Sequence, residues 1–148
     1  MIIIAHRANV NGIDEKNENR PEAIQKALEM GFHVEIDLWV VDEKLYLGHD
    51  KPQYSIDLPF LQNSKLWIHC KNKDALELMN RTEDVHYFWH QTDTYTLTSK
   101  GYVWTFVGAD LTENSVCVLP KETQDVRKCY AICTDEPVKW IATLARKR

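Results

Sequence analysis

The chain has 148 residues, of which 44% are hydrophobic and 27% charged, as expected for a globular domain with a buried core. A net charge of -4, with no basic stripe, argues against a nucleic-acid-binding protein. The apolar run Ile2–Ala5 is too short for a signal peptide or a membrane span. We therefore expect one cytoplasmic domain over residues 1–148, without a stable membrane anchor.

Hydrophobic patterning predicts strands that alternate with helices. The predicted strands are Ile2–His6, His33–Val41, Leu45–Gly48, Lys65–Cys70, Val85–Trp89, Tyr102–Val107, Ser115–Leu119 and Tyr130–Cys133. The predicted helices are Pro21–Met30, Asp74–Met79, Lys121–Lys128 and Pro137–Ala145. This alternation indicates a parallel sheet with crossover connections. Because a full (β/α)₈ barrel takes roughly 200 residues or more, the length favours a shortened barrel or an open parallel sheet.

The four cysteines lie in apolar runs without CxxC spacing. They are Cys70, Cys117, Cys129 and Cys133. We interpret them as small buried hydrophobic residues, and not as a disulfide framework or a zinc site.

Two acidic residues, Glu35 and Asp37, are two positions apart on a predicted strand. Strand alternation places their side chains on one face. If that face is buried, two carboxylates need a cation, and oxygen ligands suit Mg²⁺ or Ca²⁺. The alternative is an exposed edge strand with two ordinary surface acids.

Two histidines, His6 and His49, each end an extended stretch and bracket the acidic pair. Histidine titrates near neutral pH, so two of them can serve as general base and general acid, although a single one at a strand end is usually structural. Arg7 adds a planar fork for phosphate oxygens. Lys71 is two residues beyond His69 and is predicted to share its side of the strand.

The fragments AHRA at 5–8, ENRPEA at 18–23, VEIDLWVVDEKLYLGHD at 34–50 and YAICTDEP at 130–137 resemble the motifs of one family. That family is the glycerophosphodiester phosphodiesterases, within the phospholipase C-like phosphodiesterase superfamily. Its members open with H-R-G and continue with E-N-T, E-x-D and H-D. The chain is identified as a short, divergent member.

The resemblance implies a compact, shortened TIM-type barrel with about seven or eight mostly parallel strands and several missing helices. It also implies roles for individual residues. His6 and His49 are the acid/base pair, and Arg7 and Lys71 are phosphate-binding cations in the catalytic group. Glu35 and Asp37 are metal ligands, and Glu18 and Asn19 are substrate-binding residues at the border of the site. Ala8 replaces the glycine of H-R-G. His69 replaces the carboxylate of E-x-K and becomes the third candidate ligand.

That replacement affects the expected cofactor, a divalent metal ion. Mg²⁺ or Ca²⁺ is favoured by the carboxylates, while Mn²⁺ or Zn²⁺ is compatible with an imidazole ligand.

The segment from 87 to 106 is rich in stacking and hydrogen-bonding groups and lies outside the family pattern. His90 and Trp104 are its candidate substrate-binding residues, suited to a polyol or sugar. The alternative is an aromatic core with one polar loop.

Together these features predict a metal-dependent phosphoric diester hydrolase. It would cleave a small glycerophosphodiester-like or glycan phosphodiester, and the sequence leaves its oligomeric state open. The alternative is a catalytically inactive protein of the same fold that binds phosphorylated glycans or polyols. A zinc amidohydrolase-like barrel is disfavoured, because it would carry H-x-H on the first strand, where this chain has His6-Arg7.

Overall fold

The computed structural model describes residues 1–146, which form ten strands and four helices. The helices are α1 (Pro21–Glu29), α2 (Leu58–Leu61), α3 (Lys73–Asn80) and α4 (Pro137–Arg146). The strands are β1 (Ile2–His6), β2 (His33–Val41), β3 (Lys44–Leu47), β4 (Tyr54–Ile56), β5 (Leu66–Cys70), β6 (Tyr87–Phe88), β7 (Tyr95–Leu97), β8 (Val103–Thr105), β9 (Ser115–Val118) and β10 (Ala131–Thr134). The predicted domain of residues 1–148 extends two residues beyond the described part.

The strands form one mixed sheet that curls into a half-barrel. Its order is β4-β3-β2-β1-β10-β9-β8-β7, with β5 beside β2 and β6 beside β5. Antiparallel pairing joins β2 to β3, β3 to β4 and β7 to β8, whereas the other pairs are parallel. Because the sheet has ten strands, mixes both kinds of pairing and curls only into a half-barrel, the prediction of a shortened TIM-type barrel with seven or eight mostly parallel strands is wrong.

Connection lengths explain this correction. An antiparallel pair needs only a tight turn, whereas a parallel pair needs a longer crossover. Asp42 and Glu43, with φ of 49° and 62°, form such a turn between β2 and β3. Within residues 1–146 no ladder joins β6 to β7. A Ser99 N–H···O Tyr87 hydrogen bond of 2.8 Å bridges the two ends of the curl instead.

The sheet separates an outer core from an inner core. On the convex side, Ile36 and Ile68 pack with Ile24 of α1 and Met79 of α3. The concave side is filled by Ile4, Trp67, Phe88, Trp104, Val116, Ala131 and Cys133. Because strand residues alternate, His69 shares the concave face with Trp67, and so do the β2 positions 35 and 37 that lie beside β5.

The predicted helix Lys121–Lys128 does not form. Asp125 accepts hydrogen bonds from the backbone and side chain of Arg127, and this local turn competes with helical hydrogen bonding. The short elements β4, α2 and β7 were not predicted. The four cysteines are free and buried, which confirms their predicted character. None of the helices in residues 1–146 has the length and apolar composition needed to cross a bilayer.

Candidate metal centre and proton-transfer site

Strand register brings the candidate site together at the carboxyl ends of three parallel strands. His6 of β1 pairs with Glu35 of β2, and Asp37 of β2 pairs with His69 of β5. Neighbouring residues in register project to the same face, so these four side chains face the concave interior. Glu35 and Asp37 are 2% and 1% exposed, which excludes the alternative of an exposed edge strand with surface acids.

Glu35, Asp37 and His69, called the ligand group below, offer one potential ligand atom each, all within 4.8 Å of one another. His69 Nδ1 lies 3.2 Å from Asp37 Oδ1 and 3.7 Å from Glu35 Oε1. Asp37 Oδ1 is buried and has no hydrogen-bond partner among the described residues. A buried, unsatisfied carboxylate oxygen beside a second carboxylate and an imidazole fits a divalent cation.

The orientation of His69 is set by a backbone carbonyl. Its Nε2 lies 2.8 Å from the carbonyl oxygen of His90, so Nε2–H must be the donor. The ring stacks on Phe88 with centroids 5.1 Å apart. Burial lowers the pKa of His69, but its contacts with Asp37 and Glu35 outweigh burial and raise the pKa to about 9. In the absence of a cation, the His69 imidazolium neutralises part of the carboxylate charge.

His6 forms a second unit with a residue that the sequence did not single out. His6 Nδ1 donates to Asp135 Oδ1 at 2.8 Å, and Asn9 Nδ2 donates to the same oxygen at 2.9 Å. His6 Nε2 is thereby directed toward Glu35 Oε2, 4.0 Å away. Burial lowers the pKa of His6, but the hydrogen bond to Asp135 and the charge of Glu35 outweigh it and raise the pKa.

The turn after β1 places Arg7 and Asn19 against the carboxylates. Arg7, Ala8 and Asn19 have φ of 52°, 68° and 59°, in the left-handed region. The Arg7 backbone N–H donates to Glu35 Oε2 at 3.0 Å. Asn19 Nδ2 donates to Asp37 Oδ2 at 2.9 Å, and Asn19 Oδ1 accepts from Asp37 N. Both carboxylates are thus fixed from the same loop.

The β2–β3 hairpin returns the chain so that His49 stands beside Asp37. Gly48 N–H donates to the Asp37 carbonyl at 3.1 Å. A side chain at Gly48 would lie 2.0 Å from the Lys51 carbonyl oxygen, so this close approach requires glycine. Arg7 Nη2 donates to His49 Nε2 at 3.2 Å, which leaves the hydrogen of neutral His49 on Nδ1, 3.5 Å from Asp37 Oδ2.

Positive groups surround Asp37. Arg7 Nε is 3.7 Å from Oδ2, and Lys71 Nζ is 3.8 Å from Oδ1. Burial raises the pKa of Asp37, but its contacts with His49 and His69 and the charge of Lys71 lower it well below its ordinary range. Asp37 is therefore ionised despite its burial.

Most of the predicted site residues converge on the ligand group. Nine of them are linked by a series of pairwise contacts: His6, Arg7, Glu18, Asn19, Glu35, Asp37, His49, His69 and Lys71. His90 contributes its carbonyl, while its ring bonds Asp93 at 2.8 Å. Trp104 is 3% exposed and stacks on Phe88, one ring removed from His69. These contacts place the residues, and their roles stay predictions.

Asn9 and Asp135 were missed by sequence reasoning. Asp135 directly follows the last strand within the TDEP fragment, and that position was its signal. Asn9 has no comparable signal, because its importance comes from a bond to Glu18 Oε1 at 3.0 Å that only the folded loop creates.

A cavity of about 600 Å³ adjoins the site between the loop after β1 and helix α1. Its wall includes Ala8, Asn9, Ile13, Arg20 and Lys26. The wall also includes the carboxylates of Asp14 and Glu22, which match the two cations, and it includes no member of the ligand group.

Compared with models of protein families, with curated proteins and with solved structures, the chain matches none.

Proposed function

We propose that this protein is a metal-dependent hydrolase that cleaves a phosphodiester bond in a small, glycerophosphodiester-like or glycan substrate. The observation that carries the proposal is a set of unsatisfied buried atoms around one carboxylate. Asp37 Oδ1, an acceptor, and Arg7 Nε and His49 Nδ1, both donors, have no hydrogen-bond partner among the described residues. A cation and an anionic phosphate bound side by side would satisfy both kinds of atom.

His6 is the better candidate for the general base. Asp135 accepts from Nδ1 and leaves Nε2 to take a proton from the attacking hydroxyl group, whether this belongs to water or to the substrate. The carboxylate also stabilises the imidazolium that results. His49 would be the general acid: with Arg7 turned from His49 Nε2 to the phosphate, the doubly protonated ring would give one proton to the departing alkoxide and return to its neutral form.

Arg7 and Lys71 would offset the charge that grows on the phosphate oxygens in the transition state. Arg7 is fixed for this by Glu18, whose Oε2 is 3.5 Å from Nη1. A divalent ion held by Glu35, Asp37 and His69 would polarise a phosphate oxygen as a Lewis acid.

Two further statements belong to the same proposal. The order of the motifs is that of glycerophosphodiester phosphodiesterases, and we propose a distant relationship in which the curled, mixed sheet carries the same site. We also propose a cytoplasmic location, because four free cysteines suit a reducing compartment.

The test is hydrolysis of bis-p-nitrophenyl phosphate, followed by a panel of natural phosphodiesters, with chelator and with divalent ions restored. We expect chelator to abolish turnover, and His6→Ala and His49→Ala to reduce kcat by about 10²–10⁴-fold. The matched control is His33→Asn, on the same strand as Glu35, which keeps an acceptor for Trp67 Nε1 and should retain turnover. Turnover that survives both histidine substitutions would refute the proposed mechanism. Phosphodiester binding without turnover would instead identify an inactive binding protein.

A further inference from the structure

We infer that the ligand group is a transition-metal site, which binds Zn²⁺ more tightly than Mn²⁺ and both more tightly than Mg²⁺ or Ca²⁺. The inference rests on the proposed function, because it names the ion that the same site would use. It departs from the Mg²⁺ or Ca²⁺ that two carboxylates alone suggest. Its basis is the way in which His69 is held.

The first observation is that the neutral form of His69 presents a lone pair to the carboxylates. Its Nε2–H is committed to the His90 carbonyl at 2.8 Å, so the neutral ring has its lone pair on Nδ1. Nδ1 is the atom that lies 3.2 Å from Asp37 Oδ1. A histidine ligand whose other nitrogen donates to a carbonyl is the usual arrangement at zinc and related metals.

The second observation is that His69 has little freedom to withdraw. Phe88 stacks on one face of the His69 ring, and Trp104 stacks on Phe88, with centroids 5.1 Å and 4.4 Å apart. Mg²⁺ holds several waters in a strict octahedron. Here the Phe88 stack and the His90 carbonyl instead fix a nitrogen, His69 Nδ1, at one of the three ligand positions. An ion that accepts nitrogen and a lower coordination number fits better.

The third observation concerns the supply of oxygen ligands. Ca²⁺ takes about 6–8 oxygens. Three other acidic side chains contact residues of the site: Glu18 contacts Arg7, Asp50 contacts His49, and Asp135 contacts His6. Among the described residues, none of the three joins the group of ligand atoms that lie within 4.8 Å of one another. The carboxylate supply of the ligand group is therefore limited to Glu35 and Asp37.

The experiment measures metal binding rather than turnover. Chelator-treated protein is titrated with Zn²⁺, Mn²⁺, Mg²⁺ and Ca²⁺ by competition calorimetry, for the native chain, His69→Glu and His33→Asn. Because most sites of nitrogen and oxygen ligands favour Zn²⁺, the informative quantity is the ratio of the Zn²⁺ and Mg²⁺ affinities. We expect this ratio to fall by at least about tenfold in His69→Glu, in line with the effects of ligand-sphere changes, and to stay unchanged in His33→Asn.

A second measurement covers the case in which His69→Glu does not fold. Pulsed electron paramagnetic resonance of Cu²⁺-loaded native protein should show coupling to the remote nitrogen of one imidazole. A site without nitrogen coupling, or a native Zn²⁺/Mg²⁺ ratio that His69→Glu leaves within about threefold, overturns the inference while the proposed function stands. Failure of every cation to bind refutes the proposed function itself.

Discussion

The two ends of the concave interior both contain buried or partly buried histidines, yet their environments are opposite. At the carboxyl end of the strands, His6 and His69 face carboxylates, and their pKa values are raised. At the amino end, burial against Trp67 lowers the pKa of His33 and of His86, the latter to about 4, and nearby lysines lower both further. Burial alone favours neutral imidazole, so the partners at the carboxyl end mark the end that handles charge.

The same strands contribute residues to both ends. Residue 33 opens β2 at the amino end, and residue 37 lies further along toward the carboxyl end; residues 67 and 69 of β5 divide in the same way. Two positions along a strand separate an aromatic floor from the ligand group. The amino end stabilises the fold, and the carboxyl end is where we place chemistry.

The largest effect should follow removal of a ligand at the carboxyl end. Asp37→Asn deletes the charge that Arg7, Lys71 and His69 share, and we expect metal affinity to fall by more than about a hundredfold, since even outer-sphere changes cost 10–100-fold. Asp110→Asn, on the exposed surface, is the matched control. Equal metal affinities of the two variants in calorimetry would contradict the proposal that the carboxyl end holds the metal site.

The next effect tests the geometry that brings His49 to the site. In Gly48→Ala, the added methyl group meets the Lys51 carbonyl oxygen, and we expect a loss of about 1–3 kcal/mol in the free energy of unfolding together with reduced turnover. Gly101→Ala should leave turnover unchanged, because a side chain there meets open space. Denaturant titration and kinetics on both variants provide the check; unaltered turnover in Gly48→Ala would show that His49 is not held by this turn.

At alkaline pH, loss of the proton from His69 at the carboxyl end should lower the free energy of unfolding of the metal-free protein. The pKa of His69 is raised to about 9 in the folded state, so the stability that it contributes is complete below its ordinary pKa and is lost as the pH rises through about 9. Denaturant unfolding of chelator-treated protein between pH 7 and 10 measures this loss. His69→Gln should flatten the alkaline limb, and an unchanged limb would contradict the raised pKa.

At acid pH, protonation of His86 at the amino end should lower the free energy of unfolding. The pKa of His86 is lowered to about 4, so its contribution is present above its ordinary pKa and is lost as the pH falls toward 4. His86→Phe keeps a ring against Trp67 and should reduce the acid sensitivity between pH 6.5 and 4.5. Equal acid sensitivity in both proteins would argue that His86 is readily protonated.

The smallest effect concerns the turn after β1. Ala8 has φ of 68°, which costs an alanine roughly 1–2 kcal/mol, and glycine loses about 0.5–1 kcal/mol of this gain through unfolded-state entropy. We expect Ala8→Gly to raise the free energy of unfolding by about 0.5 kcal/mol. The same substitution at Ala142, inside α4, should lower it by about 0.5–1 kcal/mol. A lower free energy of unfolding in Ala8→Gly would show that packing of the Ala8 methyl group stabilises the protein by more than the backbone strain costs.

The sequence was most informative where strand periodicity decided the outcome. The pair at 35 and 37 and the side shared by His69 and Lys71 follow from alternation, and the strand ends at 6 and 70 follow from where apolar runs stop. The direction of β3 and the opening between β6 and β7 depend on turn chemistry and connection length. The Asn9 and Asp135 contacts depend on residues far apart in the chain, which no local pattern reports.

The most direct measurement is X-ray diffraction from crystals soaked in Zn²⁺, with anomalous data collected on both sides of the zinc edge. We expect one buried anomalous peak at about 2.0–2.2 Å from a Glu35 oxygen, Asp37 Oδ1 and His69 Nδ1. A peak confined to other residues, or no peak between these three side chains at saturating Zn²⁺, would contradict the assignment of the carboxyl end as a metal centre.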